Sequence, residues 1–149
     1  METTIDEIMS KKLETVDEFA SVQEVAIKMK DKNISSLIVV DGFGNSKGLV
    51  TERDLVRKIC VRDIYTSKVK INEIMSLPLI TINPDENAST AIDMMLKHNI
   101  RHLLVVDDNM LETNKPVGIV TPKDLTRYMD ITRNDSDKDY FERILEYFI

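Results

Sequence analysis

One phrase occurs twice in this chain. GLVTERDL fills residues 48–55 and GIVTPKDL fills residues 118–125. The echo reaches well beyond the phrase. IDEIMS (5–10) aligns with INEIMS (71–76), and NISSLIVVD (33–41) aligns with NIRHLLVVD (99–107). The second copy then carries a longer loop, and the match resumes at Gly48 and Gly118, with Val50, Thr51, Asp54 and Leu55 against Val120, Thr121, Asp124 and Leu125. Solenoid repeats run to roughly 20–50 residues, and these copies are longer. Two long copies predict a duplicated domain and not an array.

Composition narrows what such a duplicate can be. With 149 residues, 42% hydrophobic and 31% charged, the chain can bury a core and reads as globular. A net charge of -6 argues against a surface built to grip a nucleic-acid backbone. The single cysteine, Cys60, has no internal disulfide partner, which fits a reducing compartment. No apolar run approaches the roughly 20 residues that span a bilayer. The N-terminus METTIDEIMS is mixed and acidic, unlike a signal peptide. A cytoplasmic protein without a membrane role is expected.

Each copy follows the same grammar. A short extended piece lies around Leu13 to Val16 and around Leu79 to Ile82. Helical spacing follows at Val22, Val25, Ala26 and Met29, and at Ala88, Ala91, Ile92 and Met95. Pro84 and Asp85 suit the turn that enters the second of these helices. Asn33 and Asn99 suit C-terminal caps. Leu37 to Val40 and Leu103 to Val106 are continuous apolar runs, so these strands are expected to be buried on both faces. DGFGNSK (41–47) and DDNMLETNK (107–115) are turns by composition. A second short strand holds Gly48 to Val50 or Gly118 to Val120, and a last helix starts at Glu52 or Pro122. The unit reads β-α-β-β-α, an α/β (α+β) class.

The repeated phrase therefore sits where a strand gives way to a helix. Thr51 and Asp54, and Thr121 and Asp124, have the spacing of a capping box with Asp in place of Glu or Gln, and Pro122 stands at the first helical position. Taken alone, a TxxD is more readily a cap than a ligand site. The same geometry also suits a nucleotide. A helix N-terminus favours phosphate, a threonine hydroxyl can join the donors, and a carboxylate can accept from the vicinal hydroxyls of a ribose. Two copies inside a whole-domain repeat strengthen that reading.

The β-α-β-β-α unit, the GxVTxxDL phrase and the upstream NIxxLxVVD stretch resemble a cystathionine-β-synthase (CBS) domain. Two in tandem look like a Bateman module, a resemblance covering residues 5 to 130. It implies CBS units at 1–66 and 67–132, packed through their sheets with pseudo-two-fold symmetry. It also implies two clefts between the repeats that take adenosine-containing ligands such as AMP, ADP or ATP. Carried over residue by residue, the first cleft would use Thr51 and Asp54 with Leu49 and Arg53. Its adenine wall would be Leu79, Ile80 and Ile100, and Arg101 would be the basic phosphate contact. The second would use Thr121 and Asp124 with Ile119 and Lys123, walled by Leu13, Thr15 and Ile34. Ser35 and Ser36 stand opposite Arg101 and His102, so the second cleft lacks these basic groups on its own strand and would draw on His102 from across the pseudo-axis. Glu14, opposite Ile80, puts a carboxylate at its adenine wall. The first cleft is expected to bind more tightly.

Other residues have plainer readings. Arg101 and His102 serve as a solvated strand end as readily as a phosphate contact. His98 ends a helix, where an imidazole suits the dipole. Cys60, near Leu55, Val56 and Ile59, reads as a small core hydrophobe. The 8 methionines fall mostly at apolar helical positions and read as core filler. No metal-ligand spacing, P-loop or hydrolase elbow is present, so neither metal, catalytic cofactor nor enzyme activity is expected. RNDSDKD (133–139) reads as a polar linker to an amphipathic C-terminal helix with Tyr140, Phe141, Ile144, Leu145, Phe148 and Ile149 on its apolar face. That face would pack on its own module or else serve a dimer or a docking partner. The leading expectation is a stand-alone regulatory sensor, a homodimer that reports an adenine nucleotide to an unknown effector protein. The alternatives are an interaction scaffold with vestigial clefts and a weak nucleic-acid binder.

Overall fold

The computed structural model describes residues 3–77, 79–109 and 115–132, together with Glu142 and Glu146. The readings for the C-terminal tail and the centre of the 107–115 loop lie outside the described residues.

The elements follow the repeated grammar. The first series is α1 (Ile5–Ile8), β1 (Thr15–Asp17), α2 (Val22–Lys32), β2 (Ser36–Val40), β3 (Ser46–Thr51) and α3 (Glu52–Leu55). The second is β4 (Thr81–Ile82), α4 (Ala88–His98), β5 (Leu103–Val106), β6 (Pro116–Val120) and α5 (Pro122–Thr132). Helix α2 starts at a capping box the sequence reading did not name: the Ser21 hydroxyl accepts from the Glu24 amide, and the Glu24 carboxylate accepts from the Ser21 amide. Asn87 caps α4 by accepting from the Thr90 amide at 2.9 Å. Pro84 and Asp85 lie in the turn just ahead. Both helices end on the expected asparagines, Asn33 and Asn99, each at φ 53 in the left-handed region.

The chain divides into two compact units, Leu13–Leu79 on one side and Met1–Lys12 with Ile80–Ile149 on the other. This differs from a cut between residues 66 and 67, which follows the sequence copies. The IDEIMS motif that opens the first copy lies in the unit built from the second, and INEIMS lies in the unit built from the first. Their isoleucines are the anchors: Ile5 and Ile71 are both fully buried.

Each unit holds one three-stranded sheet with a parallel and an antiparallel pair, in the orders β1-β2-β3 and β4-β5-β6. The β2–β3 register sets Ser36 against Thr51 and Val39 against Gly48, with an irregularity between Val39 and Val40. The β5–β6 pair repeats it, with Val105 against Gly118 and an irregularity between Val105 and Val106. The central strands carry continuous apolar runs because both sides are covered. Leu37, Ile38 and Val39 are buried, as is all of Leu103–Val106. The cores are Val22, Val25, Met29, Leu37, Val39, Val50, Ile59 and Ile71 in one unit. In the other they include Ile5, Ala91, Ile92, Met95, Leu103, Val105, Val120 and Leu125.

One expectation fails in the segment after α3. The helix widens into a π-helical turn over Val56–Cys60. Ile59 is buried, but Val56 is 55% exposed and Cys60 is exposed. Cys60 is therefore not a core hydrophobe: Ile59 occupies the inward position, and its neighbour points away.

Candidate functional site

In the 13–79 unit the repeated phrase forms a closed hydrogen-bond cluster. Thr51 has extended backbone and caps α3. Its amide donates to Asp54 Oδ2 at 3.0 Å, its hydroxyl donates to the same oxygen at 3.2 Å, and the Asp54 amide donates to that hydroxyl at 3.3 Å. The capping box expected from the spacing is present, with the shorter Asp replacing Glu. Asp54 is nevertheless only 9% exposed, so its charge needs partners beyond the cap.

Those partners come from positions to which the sequence reading gave no role. The Ser76 hydroxyl lies 3.1 Å from Asp54 Oδ1 and 3.2 Å from Oδ2. Lys58 Nζ lies 3.3 Å from Oδ1 and also donates to the Ile74 carbonyl at 2.7 Å. Backbone pairing holds the 71–76 segment in place: the Ser76 amide donates to the Leu49 carbonyl at 2.7 Å, and the Leu49 amide donates back at 3.4 Å. Met75 lies over Gly48, and a Cβ built there would come within 2.5 Å of the Met75 sulfur. EIMS and GxVTxxD are thus two halves of one construction. Methionine covers the glycine, and serine reaches the aspartate.

The other unit repeats the frame with different partners. Ser10 and Ile119 exchange backbone bonds at 2.9 and 3.0 Å, and Met9 covers Gly118. The Thr121 amide and hydroxyl donate to Asp124 Oδ2 at 2.9 and 3.1 Å. The Asp124 amide bonds instead to the Thr121 carbonyl at 3.0 Å, so the reciprocal half of the box differs. Asp124 is 4% exposed, and its Oδ1 is paired with Arg127, whose side chain is 66% exposed.

The remaining expected site residues fall as follows. Leu49 is half-buried on β3 and Arg53 is exposed on α3. Leu13, Thr15, Ile34 and Leu79 belong to the same unit. Ile34 packs on its core, Thr15 is exposed on β1, and Leu13 and Leu79 are half-buried. Ile80, Ile100, Arg101, His102, Ile119 and Lys123 belong to the other unit. Ile80 and Ile100 pack on its core, Arg101 and His102 are half-buried just ahead of β5, Ile119 is half-buried on β6, and Lys123 is exposed on α5. Glu14 pairs with Lys28 at 3.7 Å, so its carboxylate is partly neutralised. Among the described residues no cluster of His, Cys, Asp or Glu could hold a metal ion, and no helix is long and apolar enough to cross a membrane.

The sequence model of the CBS domain matches residues 5–60 and 71–131. The chain belongs to the CBS-domain family. Its CBS pair is 31% identical over 144 residues to an uncharacterised protein of Methanopyrus kandleri, covering 95% of this chain and 71% of that relative. A crystal structure of an uncharacterised conserved protein from Pyrococcus horikoshii shares the fold with a TM-score of 0.78 and 31% identity, covering 86% of this chain and 92% of that one. The CBS domain pair of protein MJ0100, solved in complex with 5′-methylthioadenosine and S-adenosyl-L-methionine, has a TM-score of 0.76 and 32% identity, covering 87% of this chain and 98% of that one.

Within the CBS pair, each strand-to-helix junction offers the same chemistry. A buried carboxylate is an acceptor and cannot itself hold a phosphate. It can take hydroxyl or amide protons from a neutral part of a ligand. Arg53 and Lys123 are exposed beside the two aspartates in sequence, whereas the basic groups paired with the carboxylates are Lys58 and Arg127.

Proposed function

We propose that this CBS pair is a regulatory module that binds an adenosine-containing ligand, of the class AMP, ADP or ATP, through Thr51 with Asp54 and Thr121 with Asp124. In this reading each aspartate accepts from the ribose diol, and Leu49, Arg53, Ile119 and Lys123 flank it. The carrying observation is the twin one: both copies bury a threonine-bonded aspartate at a strand-to-helix junction. The adenosyl compounds bound by the MJ0100 domain pair support the ligand class. The module has no catalytic role in this reading. Its output passes to an effector protein, or through a homodimer, when bound and free forms differ in stability or shape.

The test is calorimetry of nucleotide-stripped protein against AMP, ADP, ATP, NAD, S-adenosylmethionine and 5′-methylthioadenosine. The reading expects saturable binding by at least one, weakened in Asp54→Ala or Asp124→Ala. Absence of heat and of any melting shift at high ligand concentration removes it. A second reading is favoured by the cap geometry itself. Because Thr51 and Asp54 already complete a capping box, they have a structural task with no ligand, as an interaction scaffold requires. In that case Asp54→Ala changes stability and nothing else.

A further inference from the structure

The two aspartates are not equally available to a ligand, and the difference lies in their own chain. A carboxylate offers about four acceptor positions. On Asp54, Oδ2 takes the Thr51 amide and hydroxyl, and Oδ1 takes the Ser76 hydroxyl and the Lys58 ammonium. All four are occupied from within the 13–79 unit. On Asp124, Oδ2 takes the corresponding Thr121 pair, whereas among the described residues Oδ1 takes Arg127 alone. The residue aligned with Ser76 is Ser10, and among the described residues the serine bond to the carboxylate is made in the first junction only.

The partners also differ in how firmly they are held. Lys58 is fixed at its far end by the Ile74 carbonyl at 2.7 Å, on the same 71–76 segment that delivers Ser76. Two donors from one anchored segment and one helix thus converge on Oδ1. Their side-chain entropy has been lost before any ligand arrives. Arg127 is two-thirds exposed and reaches Asp124 from the next helical turn. A ligand hydroxyl that replaces an arginine at the surface displaces a weakly held partner. One that replaces Lys58 and Ser76 must break a hydrogen-bonded cluster.

We infer that Lys58 and Ser76 are internal competitors for the Asp54 carboxylate, so that the Asp124 junction is the readier acceptor of a ligand diol and the Asp54 junction opens only when the 71–76 segment releases Oδ1. This rests on the proposed adenosyl reading and reverses the order of affinity expected from Arg101. It makes Lys58 and Ser76 specificity-determining positions that act through Asp54 and need not touch the ligand.

The experiment uses adenosine as the probe, because it has the diol and no phosphate to attract Lys58, with 2′,3′-dideoxyadenosine as its control. Full-length Asp124→Asn reports the first junction, and Asp54→Asn reports the second. The inference expects Asp54→Asn to bind adenosine more tightly than Asp124→Asn. Adding Lys58→Met or Ser76→Ala to Asp124→Asn should tighten adenosine on the order of tenfold, the worth of a net hydrogen bond to a charged group. Lys58→Arg, which retains the cation, should not. Dideoxyadenosine should be indifferent to all three, whereas a merely structural loosening moves both probes together. Melting curves confirm that each variant is folded. Unchanged or weaker adenosine binding in both Lys58→Met and Ser76→Ala, or equal effects on the two probes, overturns the inference and leaves the adenosyl reading standing. Adenosine binding to no variant, with no other adenosyl compound binding either, overturns both.

Discussion

The Ser76 hydroxyl lies within 3.2 Å of both carboxylate oxygens of Asp54, across 22 residues of chain. This bond joins two motifs that the sequence shows as separate repeats. It gives Asp54 a structural weight beyond that of a helix cap, which is worth about 1 kcal/mol. Asp54→Ala should therefore cost about 2–4 kcal/mol, since it also strands the Ser76 hydroxyl and releases Lys58. Ser76→Ala alone should cost about 1 kcal/mol. Urea unfolding of both single variants and the double should show a coupling of about 0.5–1.5 kcal/mol. Strict additivity would mean that the bond contributes nothing to folding.

The glycines of the phrase are fixed by what covers them. A Cβ at Gly48 would sit 2.5 Å from the Met75 sulfur, and one at Gly118 would collide with the Met9 sulfur and sit 3.1 Å from the Ser10 carbonyl oxygen. Methionine can move aside more readily than backbone. Both Gly→Ala variants should be destabilised, by about 1–3 kcal/mol as overpacking usually is, and Gly118→Ala the more. Pairing Gly48→Ala with Met75→Ala should recover part of the loss, whereas Met9→Ala should rescue Gly118→Ala less fully. Equal and complete rescue in both would show that the carbonyl contact has no effect. Chemical denaturation of the four single and two double variants decides it.

The helix ends provide a backbone test. Asn33 and Asn99 both hold φ 53 after the last turns of α2 and α4. A side chain branched at Cβ resists that conformation. Asn99→Val should cost about 1–2 kcal/mol, and Asn99→Gly should be within about 0.5 kcal/mol of the natural residue, because glycine adopts the conformation freely while adding entropy to the unfolded chain. Thermal unfolding of the two variants gives the comparison. A valine variant as stable as the glycine variant would contradict the left-handed assignment.

Much of this architecture could be read from the sequence because it is local. The apolar runs at Leu37 and Leu103, the helical spacing from Val22 and Ala88, the asparagine caps and the TxxD boxes all depend on neighbours within a few residues. The misses are nonlocal or turn on a single step of helix phase. Nothing in INEIMS says that its serine will bond to Asp54, or that its methionine will cover Gly48, because those contacts depend on how the chain returns. A glycine repeated two residues before a strand valine, together with a repeated methionine elsewhere, was the available signal. Cys60 was misread because it follows Ile59: successive side chains of a helical turn point in different directions, and in this π-helical turn Ile59 takes the inward one. The availability of Asp54 was illegible for the same reason as Ser76: spacing reports which carboxylate is near a helix start but not how many of its acceptor positions are already filled.

The β2–β3 turn makes a prediction about acid. Asp41 Oδ1 accepts from the amides of Phe43 and Asn45, each at 2.9 Å, while Oδ2 faces the Asn45 side chain at 3.4 Å and Lys47 at 4.0 Å. The Asn45 amide above all, then the Phe43 amide, the Asn45 side chain and Lys47, hold its pKa below the ordinary aspartate value, against a smaller opposing effect of burial. A folded pKa below the unfolded one means that the charged form favours folding. The contribution is whole above the unfolded pKa, near pH 4, and is lost as the pH falls through the lower folded value. Asp41→Asn keeps an acceptor oxygen but removes the charge. The stability gap between the natural protein and this variant should be widest near neutrality and close progressively below about pH 4. Melting temperatures of the pair across that range, with the Asp41 carboxyl followed by NMR, test this directly. A gap independent of pH, or an Asp41 midpoint above the ordinary value, would show that the turn amides do not hold the carboxylate.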